Sequence, residues 1–428
     1  MIYGETLVEQ LSKDAPFSWF LYDCAKSNPR YDFADYQHQA SQVEAQLDAL
    51  GLALQAGEPI ADWLDPDDWG TVFVLAILGI RHQQPALFDQ ALASLDPEEE
   101  THPRELVDAC LWEPVDDLTP WLRKLHEDDS SVAHQSMIRA TLHRPDTFID
   151  DILQHYLADP VPQVRIALLK WLGEHPNVDR LTTIQAYYAD EQPDVAFAAI
   201  CAGQRLGDTN TTAALERFAL HDNPLLIPAL THIFLNAEST ARRKFWLQQA
   251  LDSDVSARIH IATIGVAGIP QAIEQLWDAM ADAALCRAAG GAFSLMTGVD
   301  LEDEDLEADQ VPELPEANQA AEDQPNDDDD DDAEDVADHH EWEDDLPIPN
   351  LAAIQAWWQA HQGQFAEDTA YLAGLPINQN NLRQILMTGN QRQRQFAALY
   401  LTLQHDQPCL DCGWPPWLQI QRMAVEQE

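Results

Sequence analysis

Apolar residues recur with the spacing of an α-helix through the middle of the chain. Between residues 162 and 174 they fall at Val164, Ala167, Leu168, Trp171 and Leu172. This i, i+3, i+4, i+7, i+8 spacing places them on one face of a helix, with polar residues on the opposite face. The pattern therefore predicts an amphipathic helix that buries one side.

The same pattern returns at a nearly constant interval along the chain. Each helical segment follows a turn rich in Pro, Asp or Asn. Aligned on the residue after the turn, the segments begin at Val132, Val164, Val195, Leu226 and Ala257, in steps of 32, 31, 31 and 31 residues. Such regularity over four intervals indicates an internal repeat.

Each repeat predicts two helices separated by a break. The second helix opens with a capping or first-turn residue, at Asp179, Asn210, Ser239 or Pro270. A single helix pair cannot bury its apolar faces alone, so the pairs must stack. We therefore expect an all-α fold, an α-solenoid of helix pairs over residues 67–300. An N-terminal helical cap at 1–66 contains a longer helix from about Tyr31 to Ala56, and no alternating pattern predicts a strand.

The repeat resembles a known helical family. A turn followed by Val164 and Arg165, then an alanine and a closing Gly173, as in "PQVRIALLKWLG", resembles HEAT repeats, especially the short class of phycobilin lyases. Residues 194–208 fit the same template with Ala196 in place of the arginine. The resemblance covers Asp67 to Gly298. It implies a fold and carries no functional residues.

An acidic stretch interrupts the helical pattern after residue 300. Residues 301–345 hold 23 acidic residues and no lysine or arginine, without periodicity. Such a segment buries too little apolar surface to offset its ordering entropy, so we expect a disordered linker over 301–346. It is interpreted as a solubilising linker or as a docking arm for a basic partner. The candidate partner-binding carboxylates are its aspartate run, Asp327, Asp328, Asp329, Asp330, Asp331 and Asp332.

Metal binding by this stretch is not favoured by its sequence. The acidic run lacks the central glycine and ordered ligand spacing of an EF-hand. His339 and His340 are adjacent in a flexible segment, which cannot preset tetrahedral geometry.

The pair Cys409 and Cys412 has no second pair to complete a zinc ribbon and no βαβ frame for a redox motif. The sequence therefore predicts no metal and no cofactor.

Helical periodicity resumes in a predicted C-terminal segment at 347–428. Asn350 is a predicted helix cap, and Trp357 and Trp358 follow on faces about 100° apart. Two interpretations stay open for this tryptophan pair: core packing against the end of the array, or a partner-binding hot spot. Both residues are retained as candidate partner-binding positions.

A second resemblance rests on three blocks of sequence in a fixed order. These are "GAFSLMTGVDLEDEDLE" at 291–307, "AAIQAWWQAHQGQFAEDTAYLAGLPI" at 352–377 and "LRQILMTGNQRQRQFAALYLTL" at 382–403. Together they look like a family of bacterial HEAT-like proteins whose genes often accompany type VI secretion clusters. The resemblance implies an accessory or adaptor role there, and it brings no catalytic residues.

The overall charge limits the classes of partner. The 428-residue chain has 23 Lys and Arg against 74 Asp and Glu, a net charge of −51, and outside the acidic stretch the balance is still −28. Such a surface repels phosphate backbones and anionic lipid, so we expect neither nucleic acid nor membrane as a partner. A basic protein partner fits better. With no apolar run of spanning length and no export signal at the start, the sequence predicts a cytoplasmic protein with reduced cysteines.

The sequence contains none of five common catalytic or nucleotide-binding motifs. These are GxSxG, a Rossmann GxGxxG, Walker A, HExxH and the kinase set. The sequence therefore favours a non-catalytic protein–protein interaction scaffold, an adaptor or chaperone-like factor for a type VI secretion component or effector. Two other hypotheses stay open. One is an immunity protein that neutralises a basic toxin, and the other is a lyase-type enzyme on a HEAT-like scaffold.

Overall fold

Helices form almost all of the regular structure in the computed structural model. It describes residues 5–112, 118–142, 155–175, 180–219, 222–237, 239–312, 343, 346–404 and 410–425. Within these residues the only strands are the two short ones of a hairpin, β1 (Tyr371–Leu372) and β2 (Leu375–Pro376). The predicted all-α class is confirmed.

The helices have the following bounds. Through residue 219 they are α1 (Glu5–Ala25), α2 (Phe33–Gln55), α3 (Thr71–Arg81), α4 (Pro85–Ala93), α5 (His102–Leu111), α6 (Thr119–Glu127), α7 (Ser131–Ala140), α8 (Pro162–Glu174), α9 (Leu181–Gln185), α10 (Pro193–Arg205) and α11 (Thr211–Ala219). Beyond it they are α12 (Leu226–Leu235), α13 (Thr240–Leu251), α14 (Ala257–Ala267), α15 (Trp277–Met280), α16 (Cys286–Thr297), α17 (Leu351–His361), α18 (Gln379–Thr388), α19 (Gln391–Gln404) and α20 (Pro416–Val425). Short 3₁₀ helices span Ile60–Asp62, Pro270–Leu276 and Gln362–Gln364.

The chain divides into two compact units. Unit 1 comprises Met1–Ala214 and Arg394–Glu428, and unit 2 comprises Leu215–Gln393. The division falls inside the predicted repeat array and inside the predicted C-terminal segment. Periodicity reports which face of a helix is buried, and it does not report where one core ends and the next begins.

In unit 1 the helices α3, α5, α7, α8 and α10 pack in sequence, each against the next. The apolar stripe predicted for α8 forms part of their shared core, since Val164, Leu168 and Trp171 are all buried there. Helices α1 and α2 pack on each other before this row begins, and α2 covers nearly the predicted span. The repeated apolar pattern thus corresponds to helices in mutual contact.

The last part of the chain returns to unit 1. The Tyr36 hydroxyl on α2 donates a hydrogen bond to the Gly413 carbonyl at 2.9 Å. The Trp417 indole donates to the Trp112 carbonyl at 2.7 Å, and the fully buried Arg394 donates to Gln419 Oε1 at 2.5 Å. Residues distant in sequence therefore complete the core around α1 and α2.

Unit 2 has a second row of helices, α12, α14 and α16, each in contact with the next. The β-hairpin covers the carboxyl ends of the last two. The Tyr371 amide donates to the Gly268 carbonyl at 2.8 Å, and the Ala373 and Gly374 amides donate to the carbonyls of Leu295 and Met296 at 2.8 and 2.9 Å. The hairpin satisfies carbonyls that a helix terminus leaves without partners. Its two-residue strands are too short to show an alternating pattern, which is why the sequence did not predict them.

Two of the predicted caps are observed as such. The Ser239 hydroxyl accepts a hydrogen bond from the Arg242 amide at 3.3 Å at the start of α13. The Asn350 side chain accepts from the Ala353 amide at 3.2 Å at the start of α17. Short polar side chains before an apolar periodic run are a reliable signal because they satisfy free amides of the first turn.

The bounds predicted for the acidic linker need correction at both ends. Leu301 is 2% exposed and Leu306 is also buried, and the backbone of Ala308 donates to Ile348 at 2.7 Å. Glu343, also predicted to lie in the linker, is buried in unit 2. The acidic composition of the stretch concealed its two buried leucines. Backbone hydrogen bonds between residues 306–308 and 348–350 bring the two ends of the stretch together. Because the entropic cost of closing a loop grows only slowly with its length, a long insertion between these two segments destabilises the fold little.

His232 on α12 provides a pH-dependent contribution to the stability of unit 2. Burial lowers its pKa to about 4. Since an unfolded histidine binds a proton below about pH 6.5, the unfolded state takes up more protons between pH 6.5 and 4. We expect the free energy of unfolding to fall by about 2 kcal/mol over this interval, after allowance for partial exposure, and His232→Gln to remove this slope. Urea unfolding, monitored by hydrogen exchange in α12, measures this free energy at each pH. Curves of the two proteins that stay parallel from pH 7 to pH 4 would contradict the assignment.

Candidate partner-binding surface

The tryptophan pair predicted as a partner-binding site lies largely inside unit 2. Trp358 is 6% exposed and contacts Phe365, with ring centroids 5.2 Å apart. Trp357 is half-buried, packs edge-on against Phe293 at 5.8 Å and stacks on His361 at 4.2 Å. Of the two interpretations left open for this pair, the packing of both rings favours a core role.

The other predicted positions are located as follows. Asp327, Asp328, Asp329, Asp330, Asp331 and Asp332 lie outside the described residues, as do His339, His340 and Cys409. Cys412 is buried in unit 1, and burial raises the pKa of its thiol to about 12. A thiol with that pKa stays protonated at neutral pH, which disfavours nucleophilic chemistry at Cys412.

Unit 1 carries an exposed aromatic surface that sequence reasoning missed. Phe17 and Trp69 are 59% and 52% exposed, and Phe20 lies between them, with ring centroids 6.2 Å from Phe17 and 5.0 Å from Trp69. Leu21, one helical turn beyond Phe17, is also exposed. We call these four residues the Trp69 surface. Contiguous exposed aromatic residues are uncommon on a monomer and mark interaction sites more often than scattered single ones do.

Acidic residues border this apolar surface. Asp65, Asp67 and Asp68 immediately precede Trp69, and all three are exposed. The sequence from residue 31 to residue 80 contains nine acidic residues and no lysine or arginine. Lys13 on α1 pairs with Glu9 at 2.9 Å. The exposed indole of Trp69 therefore follows directly after three exposed aspartates in an acidic part of the chain.

A tight backbone contact holds the loop that carries Trp69. Gly70 has φ of +89° at the start of α3, and a Cβ atom at this position would lie 2.4 Å from the Pro16 carbonyl oxygen of α1. Only glycine takes up this combination of dihedral angle and close approach without strain. In the same turn, the Thr71 hydroxyl donates to the Asp65 carbonyl at 2.7 Å. Trp69 is thereby positioned against Phe20.

A buried carboxylate also holds the first turn of α3, the helix that follows Trp69. Glu105 on α5 is 1% exposed and accepts the backbone N–H of Phe73 at 2.9 Å. Burial raises the pKa of Glu105, while hydrogen bonds from Phe73 and Gly70 act in the opposite direction. A carboxylate at the N-terminus of α3 accepts amides that the helix leaves unpaired and complements the helix dipole.

An ionic cluster fixes α1 to α5. The Asp108 carboxylate accepts hydrogen bonds from Lys26 Nζ at 2.6 Å and from the Trp19 indole at 2.9 Å. Lys26 is also 3.0 Å from Asp23, whose other oxygen lies 3.2 Å from Arg104 Nε. We call these five residues the Lys26 cluster. Burial alone would lower the pKa of Lys26, but Asp108 and Asp23 raise it, so the ammonium stays charged.

The Lys26 cluster is a structural network. Each of its charged groups has an oppositely charged partner within hydrogen-bonding distance, which is how buried charges are retained in proteins. A cavity of about 180 Å³ adjoins Lys26 and Asp108. Trp19 and Asp23 of the cluster lie on α1, the helix that carries Phe17 and Leu21, so the cluster holds this part of the Trp69 surface on α5.

Comparisons with protein-family models, with curated proteins and with solved structures each found no match for this chain. Among the described residues, no helix is long and apolar enough to cross a membrane. Within the same residues, no group of three or more His, Cys, Asp or Glu side chains is arranged to hold a metal ion.

Proposed function

We propose that the protein is a non-catalytic interaction scaffold and that the Trp69 surface is its principal contact with a basic protein partner. The observation that carries this proposal is that Phe17 and Trp69 are exposed on either side of the half-buried Phe20, with exposed aspartates directly before Trp69 in the chain. Binding hot spots are enriched in tryptophan and tend to sit inside a ring of polar contacts that excludes water. The tight packing of Gly70 on Pro16 orders this surface before any partner binds, which lowers the entropic cost of association.

The chemistry of the surface favours arginine on the partner. A guanidinium stacks on an exposed indole ring and at the same time pairs with neighbouring carboxylates. Asp67 and Asp68 lie directly beside Trp69 in sequence and are exposed, so they can supply those carboxylates. The proposed occupant is thus a protein segment that presents an arginine next to an apolar side chain.

The finer fold within each unit is proposed to be a HEAT-like solenoid. Two arginines that follow repeat turns support this, because Arg165 and Arg258 each contact a residue near the next turn. Arg165 lies 3.7 Å from Asp190, and Arg258 donates to the Ala284 carbonyl at 2.8 Å. The two residues are 25 positions apart in the first pair and 26 in the second, five to six positions short of the 31-residue repeat. Stacked repeats of this kind provide extended rigid surfaces for partners.

The biological setting proposed for the scaffold is the one implied by the sequence resemblance, an adaptor or chaperone-like factor for a type VI secretion component or effector. An immunity protein against a basic toxin would use the same acidic and aromatic surface. The two differ in how they bind. An adaptor must release its cargo and so binds reversibly, whereas an immunity protein binds one toxin tightly and inhibits it in a fixed ratio.

Substitution of Trp69 should separate partner binding from folding. We expect Trp69→Ala to weaken binding of the partner about 30-fold or more, since truncating a hot-spot tryptophan costs about 2 kcal/mol or more. The tagged full-length chain is used for affinity capture from its native cells at low and high salt, with mass spectrometry. The dissociation constant of each captured protein is then measured for the wild type and the variants.

Two matched variants serve as controls. Phe245→Ala removes an aromatic side chain that is 56% exposed in unit 2, and it should leave binding unchanged. Neutralising Asp65, Asp67 and Asp68 together should slow association and flatten its salt dependence. The same charge change at the exposed residues Glu274, Asp303 and Glu304 of unit 2 should have a much smaller effect.

The outcomes distinguish the alternatives. The adaptor hypothesis is supported if the wild type captures a secretion component that high salt releases and that Trp69→Ala does not capture. The immunity hypothesis is supported if the captured protein is a toxin that stays bound at high salt and is inhibited in a fixed ratio. A captured partner that binds Trp69→Ala as tightly as the wild type would refute the proposed surface.

A further inference from the structure

Unit 2 contains a cavity of about 690 Å³, distinct from the Trp69 surface of unit 1. Its walls are mostly apolar and come from α12, α14 and α16, with Leu226, Ile227, Ile259, Ile261 and Ala288 among the lining residues. Cavities of about 300–1,000 Å³ with apolar walls and a few polar groups are typical of small-molecule sites. The volume of this cavity falls within that range.

The polar groups of this cavity converge at Arg258 and Arg392. Arg258 is in contact with the Glu343 carboxylate and also donates to the Ala284 carbonyl at 2.8 Å. Arg392 lines the same cavity, and the negative charge of Glu343 acts on it. Arg258 therefore contacts a buried carboxylate at one side of an apolar space, and Arg392 lines the same space near enough for the charge of that carboxylate to act on it. Asp222, the other acidic residue of the lining, is exposed.

Glu343 identifies the chemistry that these arginines accept. It is 4% exposed, and it belongs to the most acidic stretch of the chain, residues 301–345, whose sequence contains no lysine or arginine. A guanidinium and a carboxylate form charge-assisted hydrogen bonds, and such bonds are strong where water is excluded. The chain thus places its own carboxylate where the head group of an external carboxylate would bind.

We propose that this cavity is a binding site for a small amphipathic carboxylate, with its apolar body among the side chains of α12 and α14 and its carboxylate on Arg258 and Arg392. Glu343 is an internal competitor that occupies the arginines when the site is empty of ligand. Binding replaces one carboxylate by another, so the charge balance around the arginines is preserved. This site is independent of the partner-binding surface proposed for unit 1.

Octanoate is a suitable probe, compared with octan-1-ol and octylamine by isothermal titration calorimetry on the full-length protein. We expect octanoate to bind in a 1:1 ratio and at least tenfold more tightly than either analogue. Glu343→Gln removes the competing charge and should tighten octanoate binding about tenfold or more, without tightening the binding of octylamine. Arg392→Gln should weaken octanoate binding at least tenfold, and Glu304→Gln, at an exposed acid of the same unit, should leave it unchanged.

A variant that keeps every charge tests the location of the site. Ala288→Phe places a ring in the cavity and should abolish octanoate binding while the variant remains folded by circular dichroism. Equal binding of octylamine and octanoate, no binding of octanoate, or weaker binding to Glu343→Gln would overturn the proposal. A leucine-terminated peptide that binds tenfold more tightly than octanoate would also overturn it, because the site would then recognise the carboxyl terminus of a protein.

Discussion

Replacing Asp108 by alanine is expected to lower the free energy of unfolding of unit 1 by about 3–5 kcal/mol. The substitution leaves the Lys26 ammonium without the nearest of its two carboxylates and the buried Trp19 indole N–H without its acceptor. Breaking one side of a buried ion pair costs more than the pair contributes, because the remaining charge stays out of water. Urea unfolding followed by hydrogen exchange in peptides from α1 and α5 measures the change within unit 1.

An exposed ion pair of the same unit provides the control. Lys124 and Asp89 are 2.5 Å apart at the surface, and Asp89→Ala should change the free energy of unfolding by less than about 1 kcal/mol. The double variant Lys26→Met with Asp108→Ala should be more stable than Asp108→Ala alone, since it removes the uncompensated charge. A loss of under 1 kcal/mol for Asp108→Ala would mean that Asp23 compensates for Asp108 and that the cluster does not hold α1 in place.

Substitution of Gly70 by alanine is expected to cost about 2–4 kcal/mol and to displace Trp69. A non-glycine residue in the left-handed region costs about 1–2 kcal/mol, and the new Cβ atom would also meet the Pro16 carbonyl oxygen at 2.4 Å. Because that oxygen belongs to the backbone of α1, the loop from Asp65 to Gly70 must move away. We expect partner binding to fall as much as in Trp69→Ala, although no contacting side chain is removed.

Gly57 allows the cost of the positive φ to be separated from the cost of the clash with Pro16. It also has a positive φ, +88°, and a Cβ atom there would find no atom within 4 Å. Gly57→Ala should therefore show the cost of the dihedral angle alone, about 1–2 kcal/mol, with full partner binding. Hydrogen exchange at residues 60–70 and the binding measurement together compare the two variants. If Gly70→Ala matched Gly57→Ala in both, the contact with Pro16 would have no role in presenting Trp69.

Local patterns in the sequence predicted the local structure well. Helix faces such as that of α8 and caps such as Ser239 and Asn350 depend on neighbours within one or two turns, and those neighbours are adjacent in sequence. The repeat interval likewise located the helices that now pack as rows in the two units. The all-α class followed from these short-range signals.

Features that depend on distant residues were not predictable in the same way. By sequence, Trp357 and Trp358 fit either core packing or partner binding, and the choice depends on contacts such as that of Trp357 with Phe293, 64 residues earlier. The Trp69 surface had a weak signal, an aromatic residue amid three aspartates beside a glycine. The surface forms only because Trp69 packs beside Phe20, which in turn contacts Phe17, and both lie about 50 residues earlier in the sequence. The ion pair between Arg258 and Glu343 is equally non-local.

The division of the chain has a consequence for the order in which the protein is made. Tyr36 bonds to Gly413, 377 residues further along, so α2 leaves the ribosome long before its last partner does. At about 5–20 residues per second, that interval is roughly 20–75 s. During this time unit 2 can fold completely while Tyr36 on α2 still lacks its Gly413 acceptor. Unit 1, which begins first, finishes last.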